Sequence, residues 1–172
     1  RLFGFWNGLT DALRTGRAQN ETKSGGKPVF EALYADEARL EQFLGAMASL
    51  QVGNFMTLAS RFDFSKHKTL VDVGGANAQL TRILATKHAH LALSSFDLPP
   101  VSAIARREIA GAGLAGRIEV ISGDFFKDKL PGADVIVMGN ILHDWDEAGK
   151  KALIQKAYDA LPAGGVFIAI EN

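Results

Sequence analysis

An α/β fold, a doubly wound and mostly parallel sheet preceded by a helical segment, is what this sequence predicts, and three observations carry the prediction. From Thr69 onward, short apolar runs alternate with stretches of helical periodicity, the pattern of strands buried on both faces and joined by crossover helices. Such crossovers are right-handed, which makes a doubly wound sheet the expected topology. Glycines, acids and a histidine follow the apolar runs, at the carboxyl ends where open α/β sheets bind ligands.

In chain order, Leu2, Phe3, Phe5, Trp6, Leu9 and Leu13 recur at helical spacing, and Gly16 is placed to end that helix. The polar stretch RAQNETKSGGKP, residues 17–28, reads as a connector. Asp36 is placed to cap a helix carrying Leu40, Phe43, Leu44, Met47 and Leu50, with a second helical piece through Phe55, Leu58 and Phe62. Residues 1–66 are therefore expected to be a helical linker or lid, and 67–172 an α/β domain. Within the latter, TLVDVG, LALSSFDLP, RIEVISGDFF, ADVIVMGN and GVFIAIEN read as strands, and QLTRILATKHA, VSAIARREIAGAG and EAGKKALIQKAYDAL as helices. With strand order 3-2-1-4-5, the reversal falls between the first and fourth strands, so Gly74 and the stretch Gly139 to Asp144 border the crevice.

Composition narrows the function. Nineteen basic residues balance nineteen acidic ones, so no global field draws nucleic acid or an anionic membrane, and a small-molecule partner is expected. Cysteine is absent, which removes disulfide and thiolate chemistry. No apolar run approaches the ~20 residues of a membrane span, and no signal pattern opens the chain. Cytoplasmic residence is the expectation. The chain opens on Arg1 and stops inside a strand-like run, and is expected to be a fragment of a longer protein.

Each motif has a functional and a structural reading. VDVGGANAQL puts two glycines at a strand-to-helix turn, where a cofactor can approach the backbone, although a tight turn alone would use them too. It is not GxGxxG, because Ala76, Asn77 and Ala78 follow. Asp97 ends the second strand 23 residues after Gly74. It can accept ribose hydroxyl protons of a nicotinamide or an adenosyl cofactor, or simply cap the next helix. Asp124 and Phe125 suit an adenine amino group and ring face, or a turn acid with a core ring. His143 leaves the fourth strand at the switch point as a candidate base, yet Asp144 and Glu147 resemble a capping box that would make the segment a helix start. Glu171 ends the neighbouring fifth strand and could hold the imidazole in its proton-accepting tautomer. The histidines lack metal-ligand spacing, and there is no nucleophile elbow or P-loop.

Taken together, ALRTG, LVDVGGANAQL, FDLPPV, GDFFKDKLPGADVIVMGNILHDWD and ALPAGGVFIAIEN resemble the S-adenosylmethionine-dependent O-methyltransferases of the plant caffeate and flavonoid, animal hydroxyindole and bacterial secondary-metabolite type. The resemblance spans essentially the whole chain. It implies a class I methyltransferase fold, S-adenosyl-L-methionine as cofactor, and Gly74, Asp97, Asp124 and Phe125 as its binding residues. It also implies His143 as general base with Glu171 beside it, Met47 in the acceptor pocket, a small phenolic or related acceptor, and a homodimer built through an N-terminal domain outside this chain. The sequence departs from the family at Ala76 and Ala78, where glycines are common, and at Gly139, where plant members often carry lysine. The rival readings are an NAD(P)-dependent oxidoreductase, which Asp97 favours and the missing third glycine opposes, and a repurposed or non-catalytic cofactor binder.

Overall fold

The computed structural model of the protein describes residues 6–17, 19 and 33–171. The chain divides into two compact units, residues 1–42 and 43–172. In the first, helix α1 (Leu9–Thr15) stops at Gly16, whose backbone adopts the left-handed φ of +66° and whose N–H donates to Ala12 O at 2.8 Å, as expected of a glycine stop. Leu2, Phe3, Phe5 and most of the 17–28 connector lie outside the described residues.

Helix α2 (Glu37–Arg61) corrects one expectation, because it is one helix of 25 residues rather than two pieces. Asp36 caps it as anticipated, its Oδ1 accepting the Arg39 N–H at 3.1 Å. Within it Ser49, Thr57 and Ser60 turn their hydroxyls back onto the carbonyls of Gly45, Gly53 and Met56. They leave the ladder of N–H donors intact. Burial of Phe55 and Ala59 offsets the ~1 kcal/mol that each internal glycine costs a helix.

The five strands β1 (Thr69–Val73), β2 (Ala92–Asp97), β3 (Ile118–Ser122), β4 (Val135–Gly139) and β5 (Val166–Ile170) alternate with helices α3 (Gln79–Lys87), α4 (Pro99–Gly111) and α5 (Glu147–Ala160). The sheet order is β3-β2-β1-β4-β5 and every pairing is parallel, which meets the condition under which the switch point falls between the first and fourth strands. Because side chains alternate along a strand, Leu70, Leu93, Val135 and Val137 pack with Phe55, Leu80, Leu84 and Ile109 on one face. Val71, Val73, Ile136 and Met138 pack with Leu153 and Ala157 on the other. Covered on both sides, the central strands can be apolar throughout, which is why their sequence shows no period of two.

The same alternation puts Asp72 and Ser95, register partners on β1 and β2, side by side on the first face. Both are buried, just below the turn that leaves β1. At the opposite end of the strands, Asp134 ties β1 to β4, its Oδ2 accepting the N–H groups of Lys68 at 2.6 Å and Thr69 at 3.1 Å. No described helix is long and apolar enough to cross a membrane.

Candidate active site

The turn after β1 is built by contact rather than by glycine alone. A Cβ at Gly74 would run into Ile141 Cδ1, and one at Gly75 would meet Ser95 Oγ and lie 3.1 Å from the Asp72 carbonyl. Ala76 and Ala78 nevertheless hold positive φ values of 51° and 61°, a left-handed backbone that favours glycine. That conformation costs an L-residue roughly 1–2 kcal/mol. It is held by two hydrogen bonds, Ala76 N–H to Asp97 Oδ2 at 2.9 Å and Ala78 N–H to Gly75 O at 2.8 Å.

Overpacking a tight interior typically costs about 1–3 kcal/mol. Gly75→Ala is therefore expected to lower stability by that amount, with at least half of the loss recovered by adding Ser95→Ala, measured by denaturant titration of the single and double variants. Simple additivity of the two would mean that the hydroxyl is not what excludes the methyl group.

Asp97, at the end of β2, is half-buried. Its Oδ2 takes the Ala76 N–H and its Oδ1 the Leu98 N–H at 2.7 Å, so it organises the β1 turn while each oxygen retains a lone pair for a ligand. Burial raises its pKa to about 6 against the lowering effect of those two donors. Asp72 is 4% exposed and its pKa is raised to about 7, by burial first and by the Asp97 charge second. An acid raised in the folded chain is ionised at a cost. Below the unfolded value near 3.8 both states are protonated and nothing is lost. Above it, stability falls by up to roughly 1.4 kcal/mol per pH unit until the folded pKa is passed. Melting temperature of the cofactor-free chain is therefore expected to decline between about pH 4 and pH 7, less steeply in Asp72→Asn. A flat profile in the unsubstituted chain would contradict this.

Asp124 and Phe125 follow β3. The Asp124 carboxylate accepts the Phe126 N–H at 2.9 Å and pairs with Lys127 Nζ at 2.8 Å. Its pKa is held low, chiefly by the Lys127 hydrogen bond. The half-buried ring of Phe125 meets Phe126 and Trp145 edge-on, at 5.0 and 5.9 Å between centroids.

After β4 the chain turns through Asn140, left-handed at φ 54°, into the 3-10 turn Leu142–Asp144. Glu171, one residue past β5, clasps this turn twice. Its Oε1 accepts the Leu142 N–H at 2.9 Å, and its Oε2 lies 2.9 Å from His143 Nδ1. With Nδ1–H donated to Glu171, Nε2 carries the lone pair. Asp144 Oδ1 stands 3.4 Å from that Nε2. Burial raises the pKa of Asp144, the His143 ring lowers it and the Glu171 charge raises it, in that order of size.

The capping box expected of Asp144 and Glu147 is not formed. Asp146 caps α5, its Oδ1 accepting the Gly149 N–H at 2.8 Å, while Glu147 pairs with Lys151 at 2.6 Å. Two aspartates separated by a single tryptophan both fit a cap pattern, and the 3-10 turn in front of α5 decides for the second. Asp144 is thereby left beside the imidazole.

Gly74, Asp97, His143 and Glu171 thus gather at the carboxyl ends of β1, β2, β4 and β5, with Asp124 and Phe125 beyond β3. Met47 stands apart. It is half-buried on α2 and packs in neither apolar core. Sequence reasoning passed over Asn77 and Asn140, whose buried Oδ1 atoms have no partner among the described residues on the two loops that face each other at the switch point. It also passed over Phe55, whose ring lies 3.3 Å from where a Cβ on Gly139 would be. Acceptor oxygens on both loops fit a ligand rich in O–H and N–H donors. Among the described residues no group of three or more His, Cys, Asp or Glu side chains could hold a metal ion.

Comparison with known proteins gives a concordant result. The family described as O-methyltransferase domain matches residues 6–172. A tetracenomycin polyketide synthesis 8-O-methyl transferase, TcmO of Streptomyces glaucescens, is 35% identical over 172 residues, 100% of this chain and 50% of that protein. The N,N-dimethyltransferase OxyT of Streptomyces rimosus is 34% identical, over 96% of this chain and 48% of its own. Among solved structures, the O-methyltransferase NcsB1 from neocarzinostatin biosynthesis, in complex with S-adenosylmethionine and 2-hydroxy-5-methyl naphthoic acid, superposes with a TM-score of 0.86 at 30% identity, covering 96% of this chain and 51% of that one. The chain spans about half the length of the curated relatives it matches.

Proposed function

The chain belongs to the O-methyltransferase family, and on that premise we propose that it forms the cofactor-binding and base-bearing part of an S-adenosylmethionine-dependent methyltransferase acting on a hydroxyl of a small phenolic or related secondary metabolite. The observation that carries the reading is the clasp of Glu171 on His143, 2.9 Å at Nδ1, which in the neutral ring favours the tautomer with its lone pair on Nε2. S-adenosylmethionine, when bound, supplies an electrophilic methyl group on a sulfonium.

The residues divide the work. Gly74 lies against the cofactor once the Ile141 side chain, which fills the place of a Cβ there, moves aside, and the free lone pairs of Asp97 receive the ribose hydroxyls. Asp124 and Phe125 hold adenine, for which the Asp124 carboxylate exchanges its Lys127 contact for the amino group. Met47 lines the acceptor side. A phenol loses its proton near pH ~10 in water, so an imidazole with an available lone pair is needed beside it at neutral pH. His143 Nε2 takes that proton, Glu171 holds the ring and compensates the imidazolium charge, and Asp144, adjacent to Nε2, adds a second compensating carboxylate. Residues 67–172 form the cofactor domain in this reading, and the full-length protein resides in the cytoplasm and is a homodimer, the last as the family resemblance implies.

The nicotinamide alternative is less well supported, since the solved relatives carry S-adenosylmethionine or its product. The test is transfer of an isotopically labelled methyl group from S-adenosylmethionine by the full-length protein to a panel of phenols, naphthols and aromatic amines, the last included because OxyT is named for N-methylation. Label in a phenolic product supports the proposal. Label confined to amines would correct the acceptor atom, and no label in any product would overturn the activity.

A further inference from the structure

Trp145 sits between the two ends of the site. Its backbone N–H closes the His143 turn, donating to Leu142 O at 3.2 Å, and the next residue, Asp146, caps α5. Its Cβ lies 3.1 Å from where a methyl on Gly149 would be, so the first turn of the helix braces it from behind. In front, its indole meets Phe126 at 4.6 Å and Phe125 at 5.9 Å between centroids, both at 86°. Edge-to-face aromatic pairs prefer this geometry and contribute about 0.5–1.5 kcal/mol each beyond area burial. These edge contacts link Phe125 to the indole, and the backbone links the indole to an imidazole two residues away in the same turn.

We propose that Trp145 is a positioning residue through which occupancy of the adenine end of the site sets the placement of the His143 imidazole. The inference rests on the reading of Phe125 as the adenine contact. Trp145 touches no reacting atom in this account. It makes the base respond to the cofactor, so that the proton acceptor is aligned when the methyl donor is present.

The chain contains two tryptophans, so Trp6→Phe leaves Trp145 as the only indole of this segment and a direct reporter. S-adenosylhomocysteine is titrated into the full-length protein, with affinity read by calorimetry, the indole by fluorescence (further tryptophans of the full-length chain being replaced likewise), and the His143 Cε1–H by NMR in histidine-labelled protein, assigned with His143→Gln. The expected result is saturable change in both signals at the calorimetric affinity. In Trp145→Ala, binding persists within about fivefold while the His143 resonance no longer responds to the ligand, and Trp145→Phe, which keeps an aromatic edge, restores at least half of the response. An equal His143 response in Trp145→Ala, or none in the unsubstituted protein despite calorimetric binding, would overturn the proposal. Absence of calorimetric binding in the unsubstituted protein would instead overturn the cofactor reading on which it stands. Should Trp145→Ala not fold, an unchanged response in a folded Trp145→Leu, which has bulk but no ring, would count against the proposal in the same way.

Discussion

Replacing His143 by alanine is expected to lower turnover by about 10²- to 10⁴-fold, the usual contribution of a positioned general base, while changing affinity for S-adenosylhomocysteine by no more than about threefold. The separation follows from geometry. The imidazole is held by Glu171 at the ends of β4 and β5, whereas the polar groups proposed to hold the nucleoside lie beyond β2 and β3, on Asp97 and Asp124. Removing the ring deletes a proton acceptor and leaves those contacts in place. A purely structural histidine would give the opposite result, a drop in thermal stability with little change in rate per folded molecule. Steady-state kinetics and calorimetry on the same preparation decide between them, and a rate within threefold of the unsubstituted enzyme would remove His143 from the mechanism.

Asp97→Ala is expected to reduce affinity for S-adenosylhomocysteine by at least about 100-fold, since hydrogen bonds to a charged group contribute about 1.5–3 kcal/mol each and two ribose hydroxyls are at stake. The substitution also orphans the N–H groups of Ala76 and Leu98 and releases the left-handed turn at Ala76 and Ala78, so some stability is lost as well. Asp97→Asn separates the two effects. One carboxamide oxygen keeps a backbone donor and most of the fold, but it lacks the charge and the second acceptor that the ribose needs. A well-folded Asp97→Asn that binds as tightly as the unsubstituted protein would show that the residue only caps the turn.

The parallel sheet was legible because parallel strands covered on both faces must be apolar throughout, and runs such as VIVM and VFIAI are hard to place otherwise; the order of the strands was not, since nothing in an apolar run says which neighbour it pairs with. The positions of Gly74, Asp97, Asp124, His143 and Glu171 followed from the same reasoning, since residues that leave parallel strands emerge at one edge. What was not legible depends on contacts distant in sequence. Nothing local to Ala76 and Ala78 indicates positive φ; an aspartate 21 residues away holds the turn. Whether Asp144 or Asp146 caps α5 depends on how the chain leaves β4 through left-handed Asn140. The second bond of Glu171, to the Leu142 N–H, needs the register of β4 against β5 to bring the two together. The continuity of α2 was hidden because Gly45 and Gly53 weaken a helix without obliging it to end.

The central claim is that this crevice holds S-adenosylmethionine, and it is tested most directly by calorimetric titration of S-adenosylhomocysteine into the full-length protein, with NAD as the control ligand. The account predicts saturable micromolar binding of S-adenosylhomocysteine and none of NAD under the same conditions. Preference for NAD, or no binding of S-adenosylhomocysteine by the folded protein, would contradict it and leave His143 a structural residue of the 3-10 turn after β4.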